Sequence, residues 1–141
     1  MDMDAMDALF PNKSDCILFL ETLRWQGKPI CPYCKMRFST PLPTENRHHC
    51  NPCNSAFSVT VGTIFHKTRL PLQTWFCAIY LIAHAPGQLP IRHLAQQIQI
   101  NKNTAARITM QIRQAWADAN QRAILNQIVC LPDNVNGGTY E

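Results

Sequence analysis

Cys31-Pro32-Tyr33-Cys34 and Cys50-Asn51-Pro52-Cys53 decide how this chain is read. The two C-x-x-C pairs stand fifteen residues apart, inside the spacing window of a four-cysteine zinc site. Each pair forms a tight knuckle that aims two thiolates at one point. Four thiolates around Zn²⁺ close a tetrahedron with bonds of about 2.3 Å, leaving no position for water or substrate. The expected metal is therefore structural, held by Cys31, Cys34, Cys50 and Cys53. The other uses of such cysteines are a redox pair or a disulfide framework. A redox pair stands alone beside a βαβ pattern, and a disulfide framework belongs to secreted chains. Neither setting is found here. His48 and His49 adjoin Cys50 and are the alternative ligands.

Upstream, Met1 to Ser14 is acidic (Asp2, Asp4, Asp7) and has neither a basic n-region nor a cleavage site, so it does not read as a signal peptide. Residues 1–12 are expected to be disordered. The longest apolar run, Trp75 to Ala83, is far short of the ~20 residues that span a bilayer. The expected setting is a reducing cytoplasm, with no membrane partner. Of the remaining cysteines, Cys16 and Cys77 fall in helical patterns as buried free thiols. Cys130 has no assigned role.

A helix is expected from about Ser14 to Leu23, capped by Ser14 or Asn12, with Ile17, Leu20 and Leu23 at helical spacing. The knuckles then flank a hairpin with the Pro-rich tip Ser39-Thr40-Pro41-Leu42-Pro43-Thr44, and Phe57-Ser58-Val59-Thr60-Val61 alternates as a strand does. Gly62 marks a turn. Residues 13–70 thus read as a zinc ribbon with a preceding helix, whose folding draws much of its free energy from the metal.

From Pro71 the period becomes helical. Leu72, Trp75, Phe76, Ile79, Tyr80 and Ala83 form one wide apolar face. Pro86-Gly87 stops that helix. A short second helix, about Pro90 to Gln97, turns Ile91, Leu94 and Ala95 inward. A third runs from about Lys102 to Asn120 behind Asn101 as N-cap, with Ala105, Ile108, Ile112 and Ala115–Trp116 inward. Residues 71–121 read as a tri-helical helix-turn-helix. The expected fold class is α+β, mainly α: a zinc ribbon followed by that helix-turn-helix, then a tail over 122–141.

Charge distribution points to the partner. Between Arg24 and Arg113 stand eleven Lys or Arg and one acid, Glu45. The resulting +10 falls to roughly +8 once a zinc tetrathiolate is counted. A basic middle between acidic ends reads as a polyanion surface, with nucleic acid the usual partner. On the third helix Lys102, Asn103, Arg107 and Gln111 lie off the apolar face, and such side chains match base edges and phosphates in the major groove. Lys67, Arg69 and Arg92 are candidates for backbone contacts.

The same residues carry a family resemblance. Leu23-Arg24-Trp25, the two cysteine pairs, Phe57-Ser58-Val59 and Gly62-Thr63-Ile64-Phe65-His66 come first. Pro71-Leu72, Trp75-Phe76, Leu94-Ala95, Asn103-Thr104-Ala105 and Ile112-Arg113 follow. Together they resemble the N-terminal region of bacterial insertion-sequence transposases that place a zinc ribbon before a DDE-type catalytic domain. The resemblance spans about Phe10 to Ala119. It implies recognition of the element's terminal repeats, with strand transfer left to metal-bound acids of an RNase H-like domain.

Ile128 to Gly138 resembles the opening of that catalytic domain, with Pro132 or Asp133 at the position of its first acid. The chain ends at Glu141 before a second or third acid. It is therefore expected to be a non-enzymatic front portion, truncated or separately encoded, partnering DNA, further copies of itself or full-length transposase. Gln99 departs from the glycine common in helix-turn-helix turns. The rival readings are a zinc-ribbon adaptor that binds protein and a transposase-derived transcription regulator.

Overall fold

Met3, Met6 and Phe10 recur at helical spacing. The computed structural model, which describes residues 1–132, makes a helix, α1 (Met3–Leu9), of the segment expected to be disordered. Asp2 caps it, accepting from the Ala5 amide at 2.8 Å. Met6 is fully buried, and Phe10 packs edge-on against Phe19 and Phe76, each at 5.2 Å. Asp4 and Asp7 stay exposed. The acids suggested a solvated tail, but the apolar stripe between them has a surface to dock on.

Asn12 and Asp15 exchange side chain–backbone hydrogen bonds in a capping box that starts α2 (Lys13–Trp25). The Ser14 hydroxyl instead donates to Asn46 Oδ1 at 3.0 Å. Beyond α2 lies an antiparallel sheet in the order β1 (Ser39–Leu42), β2 (Arg47–Cys50), β3 (Ser55–Phe57). Its register pairs Ser39 with Cys50 and Cys50 with Ser55. A 3₁₀ turn, Pro43–Glu45, forms the hairpin tip.

The strand expected over Phe57–Val61 ends at Phe57. Val59 is buried and keeps the alternation, but the chain coils through turns closed by Val61 N–H to Ser58 C=O and Thr63 N–H to Thr60 C=O. The Arg24 guanidinium donates to the carbonyls of Val59 and Val61. A side chain from α2 takes acceptors that another strand would otherwise use.

Helix α3 (Leu72–His84) is the axis of the molecule. Every residue from Thr74 to Tyr80 is buried, as expected of a helix apolar on all sides. The single face read from the sequence was too narrow, and Ala83, assigned to it, is exposed. Helices α1, α2, α4 (Ile91–Gln97), α5 (Lys102–Trp116) and α6 (Ala119–Val129) all contact α3. One continuous core runs from Met6 through Trp25, Phe57 and Phe65 to Ile128.

The α4–α5 turn is built as a Schellman motif. Gln99 adopts φ 61° and the Ile100 amide reaches back to the Ala95 carbonyl at 3.1 Å. The departure from glycine thus leaves the left-handed turn intact. Asn101 caps α5, accepting from the Thr104 amide at 2.8 Å. Replacing Asn101 by Ala is expected to cost about 1 kcal/mol, read as a lower urea midpoint at unchanged slope.

Helix α5 stops at Trp116, short of Asn120, because Asp118 starts α6 by accepting from the amides of Asn120 and Gln121. Ile124, Leu125 and Ile128 of α6 are buried. Residues 122–129 are therefore helix rather than tail, and Ile128 and Val129 do not form the opening of a strand. Asp133 and Gly137-Gly138 lie outside the described residues.

Candidate metal centre and nucleic-acid interface

The two knuckles use one backbone turn twice. The Lys35 amide bonds to the Cys31 carbonyl at 2.9 Å and the Asn54 amide to the Cys50 carbonyl at 2.8 Å. Lys35 (φ 65°) and Asn54 (φ 56°) both take the left-handed conformation. Each turn folds its pair of sulfurs to one side. Cys31 and Cys53 Sγ lie 3.6 Å apart and Cys34 and Cys50 Sγ 3.4 Å apart, and all four sulfurs fall within 4.8 Å of one another. A tetrahedron with 2.3 Å bonds has edges of about 3.8 Å. The tetrad therefore fits Zn²⁺, and its all-sulfur donor set makes the site structural.

Cys31 has a depressed pKa. Burial opposes its ionisation, but the amides of Cys34 and Tyr33 and the neighbouring thiols of Cys53 and Cys34 bring it down to about 6. Burial pushes Cys50 up to about 12. A divalent ion bound by the tetrad drives off the thiol protons. Burial also raises Cys16 and Cys77 to about 12, which leaves both as unreactive core thiols.

The adjacent histidines have other partners. His48 Nε2 lies 2.8 Å from Glu21 Oε2, and its ring stacks on Phe57 and meets Trp25 edge-on. It ties β2 to α2. His49 reaches Asn54 Oδ1 at 2.8 Å and Asn51 Oδ1 at 3.3 Å, bracing the second knuckle. Neither belongs to the group of converging metal donors.

The basic residues are distributed unevenly. Arg107 and Gln111 on α5 face Lys67 and Arg69 across a cleft of about 340 Å³, with Thr104, His66 and Thr68 also lining it. Lys102 and Asn103 are exposed at the start of α5, outside this cleft, and Arg92 is exposed on α4. Gln111 is half-buried, its Oε1 sealed without a partner. The loop opposite is pinned by Trp75, whose indole donates to Thr68 Oγ1 at 2.7 Å. Between Glu45 and Asp118 the chain has no carboxylate at all. Arg24, counted in the basic middle, is occupied by the Val59 and Val61 carbonyls. Its role rests on contacts 35 and 37 residues away, which no local pattern signals.

No helix of the described residues is long and apolar enough to cross a membrane. Residues 11–56, which hold all four cysteines of the tetrad, match the family described as transposase zinc-ribbon domain. An uncharacterized protein in transposable element ISH50 of Halobacterium salinarum is 27% identical over 92 residues, covering 62% of this chain. The match spans about 30% of that relative's length. No solved structure matches the chain. The cysteine geometry and these likenesses agree: residues 11–56 form a transposase zinc-ribbon domain of the IS1595 type, with a structural zinc tetrad.

Proposed function

We propose that this chain is the DNA-recognition portion of an insertion-sequence transposase. It grips the element's terminal repeats through α4 and α5, used as a helix-turn-helix, while the zinc ribbon braces the loop beside them. One observation carries the reading: a transposase zinc ribbon sits beside an acid-free cleft in which Lys67 and Arg69 face Arg107 and Gln111. In this assignment Lys102, Lys67, Arg69 and Arg92 meet phosphates and fix the register, and Asn103, Arg107 and Gln111 face base edges. A titration with the terminal repeat and with scrambled duplex tests it. Binding that weakens steeply as salt rises supports DNA recognition, and salt-insensitive or absent binding favours the protein-adaptor reading.

In this reading the chain recognises DNA and supplies no chemistry of its own. Two-metal strand transfer needs several carboxylates converging on ions about 3.5–4 Å apart. Among the described residues, the one group of three or more metal donors is the cysteine tetrad. The purified chain is expected neither to nick nor to join DNA with Mg²⁺ or Mn²⁺, and Asp133→Ala should leave binding unchanged. Reproducible nicking that depends on Asp133 would overturn this assignment.

A further inference from the structure

We infer that a second cleft, on the ribbon side of the basic loop, holds the sugar-phosphate backbone of the same duplex that α5 reads. The inference rests on the DNA reading above and extends it to Lys13 and Arg47, neither of them on the helix-turn-helix. This cleft, of about 450 Å³, lies between the start of α2, the β1–β2 hairpin and the loop before α3. Lys13, Arg47, Lys67 and Arg69 line it, against one carboxylate, Glu45.

Three observations point to an anion. Glu45 is engaged by Arg47 at 3.4 Å, and among the described residues Lys13, Lys67 and Arg69 have no ion-pair partner. With Glu45 offsetting Arg47 alone, Lys13, Lys67 and Arg69 repel one another across the cavity, and a bound polyanion relieves that repulsion. Of the hydroxyls that line the cavity, Thr60 donates to Ser58 Oγ and Thr68 to the Leu70 carbonyl, which leaves the Ser58 hydroxyl as a donor for a phosphate oxygen. The first turn of α3, whose Pro71 N-cap provides no side-chain hydrogen bond, opens on the same space and adds the positive end of a helix dipole.

Position then selects DNA among anions. Lys67, Thr68, Arg69 and Leu70 line both this cleft and the one beneath α5. The two are separated by a single loop, whose crest residue Lys67 holds a left-handed φ of 56°. A turn from the Thr68 amide to the Phe65 carbonyl and the Trp75–Thr68 bond fix that loop. A duplex with its major groove on α5 therefore has a rigid cationic ridge beside it and a cationic groove beyond. One backbone crossing the ridge fills both.

The test uses the zinc-loaded full chain and a duplex of about four helical turns, carrying either the terminal repeat or a scrambled sequence. The double variant Lys13→Gln/Arg47→Gln is expected to lose about tenfold in affinity for both duplexes. Its salt slope should be shallower by about 1.8, the value for two phosphate contacts. Its preference for the repeat should stay unchanged, and restoring charge with Lys13→Arg/Arg47→Lys should recover affinity. Zinc content confirms that each variant is folded. If the double variant keeps wild-type affinity and slope while Arg107→Ala still weakens binding, the cleft is off the DNA path and the inference is wrong. If the wild-type chain binds neither duplex, the DNA reading falls and this inference with it.

Discussion

Cys50→Ser is expected to abolish stoichiometric zinc and to destabilise the chain by on the order of 4–5 kcal/mol or more. The ribbon has little else to hold it. Its strands are four, four and three residues long, too short to stand without packing or metal. Cys50 is fully buried and sits in register with both Ser39 and Ser55, so it joins all three strands at the metal. The damage should also spread. Phe57 of β3 packs on Trp25 of α2, and α2 carries the Arg24 clamp on Val59 and Val61. A loosened ribbon therefore releases part of the helical core as well.

Metal analysis and urea unfolding check the result, with exposed Cys130→Ser as the neutral control. Chelation should reproduce the loss in the wild-type chain. The pH dependence has a definite sign. Zinc binds thiolates and releases their protons, so affinity rises with pH and falls on acidification. Cys31, whose thiol is depressed, contributes less to that dependence than Cys50, whose thiol burial raises. A Cys50→Ser variant that kept its zinc and its unfolding midpoint would remove the tetrad from the account.

The zinc tetrad and the α3–α4–α5 succession are legible in sequence because their signals are local. A C-x-x-C spacing defines a knuckle within four residues, and Asn101 caps α5 through a bond three residues away. What escapes depends on distant partners. Helix α1 gains its stability from Phe10 meeting Phe19 and Phe76, which nothing in a stretch rich in aspartate announces. The early end of β3 follows from Arg24, on another element. His48 adjoins a ligand cysteine and has the right chemistry for zinc, yet a carboxylate on α2 takes its ring. Helix α6 is the instructive miss: Asp118 followed by Ile124, Leu125 and Ile128 is a readable cap and apolar stripe. The resemblance to a catalytic-domain strand overrode a local pattern that the structure obeys.

Arg107→Ala is expected to weaken binding to the terminal repeat and to remove about 1–3 kcal/mol of its advantage over scrambled DNA. The geometry singles out this arginine among the cations of α5. Lys102 stands in the first turn, exposed and outside the cleft, where the cap at Asn101 and the helix N-terminus already favour phosphate. Arg107 lies further along the helix and lines the cleft opposite the pinned loop of Lys67 and Arg69. Its guanidinium has no carboxylate partner among the described residues. A guanidinium fork pairs with the O6 and N7 acceptors of guanine, a contact that no other base pair offers in the same place. Lys102→Ala should instead weaken repeat and scrambled DNA about equally and flatten the salt slope by about 0.9. Gln111, with its Oε1 buried, presents only its amide nitrogen and should contribute less than Arg107. Competition titrations with both duplexes at two salt concentrations separate these roles. If Arg107→Ala changes neither affinity nor preference, α5 does not read the DNA. The exposed Tyr33, Met36 and Phe38 of the first knuckle then become the surface to test, as a site for protein rather than nucleic acid.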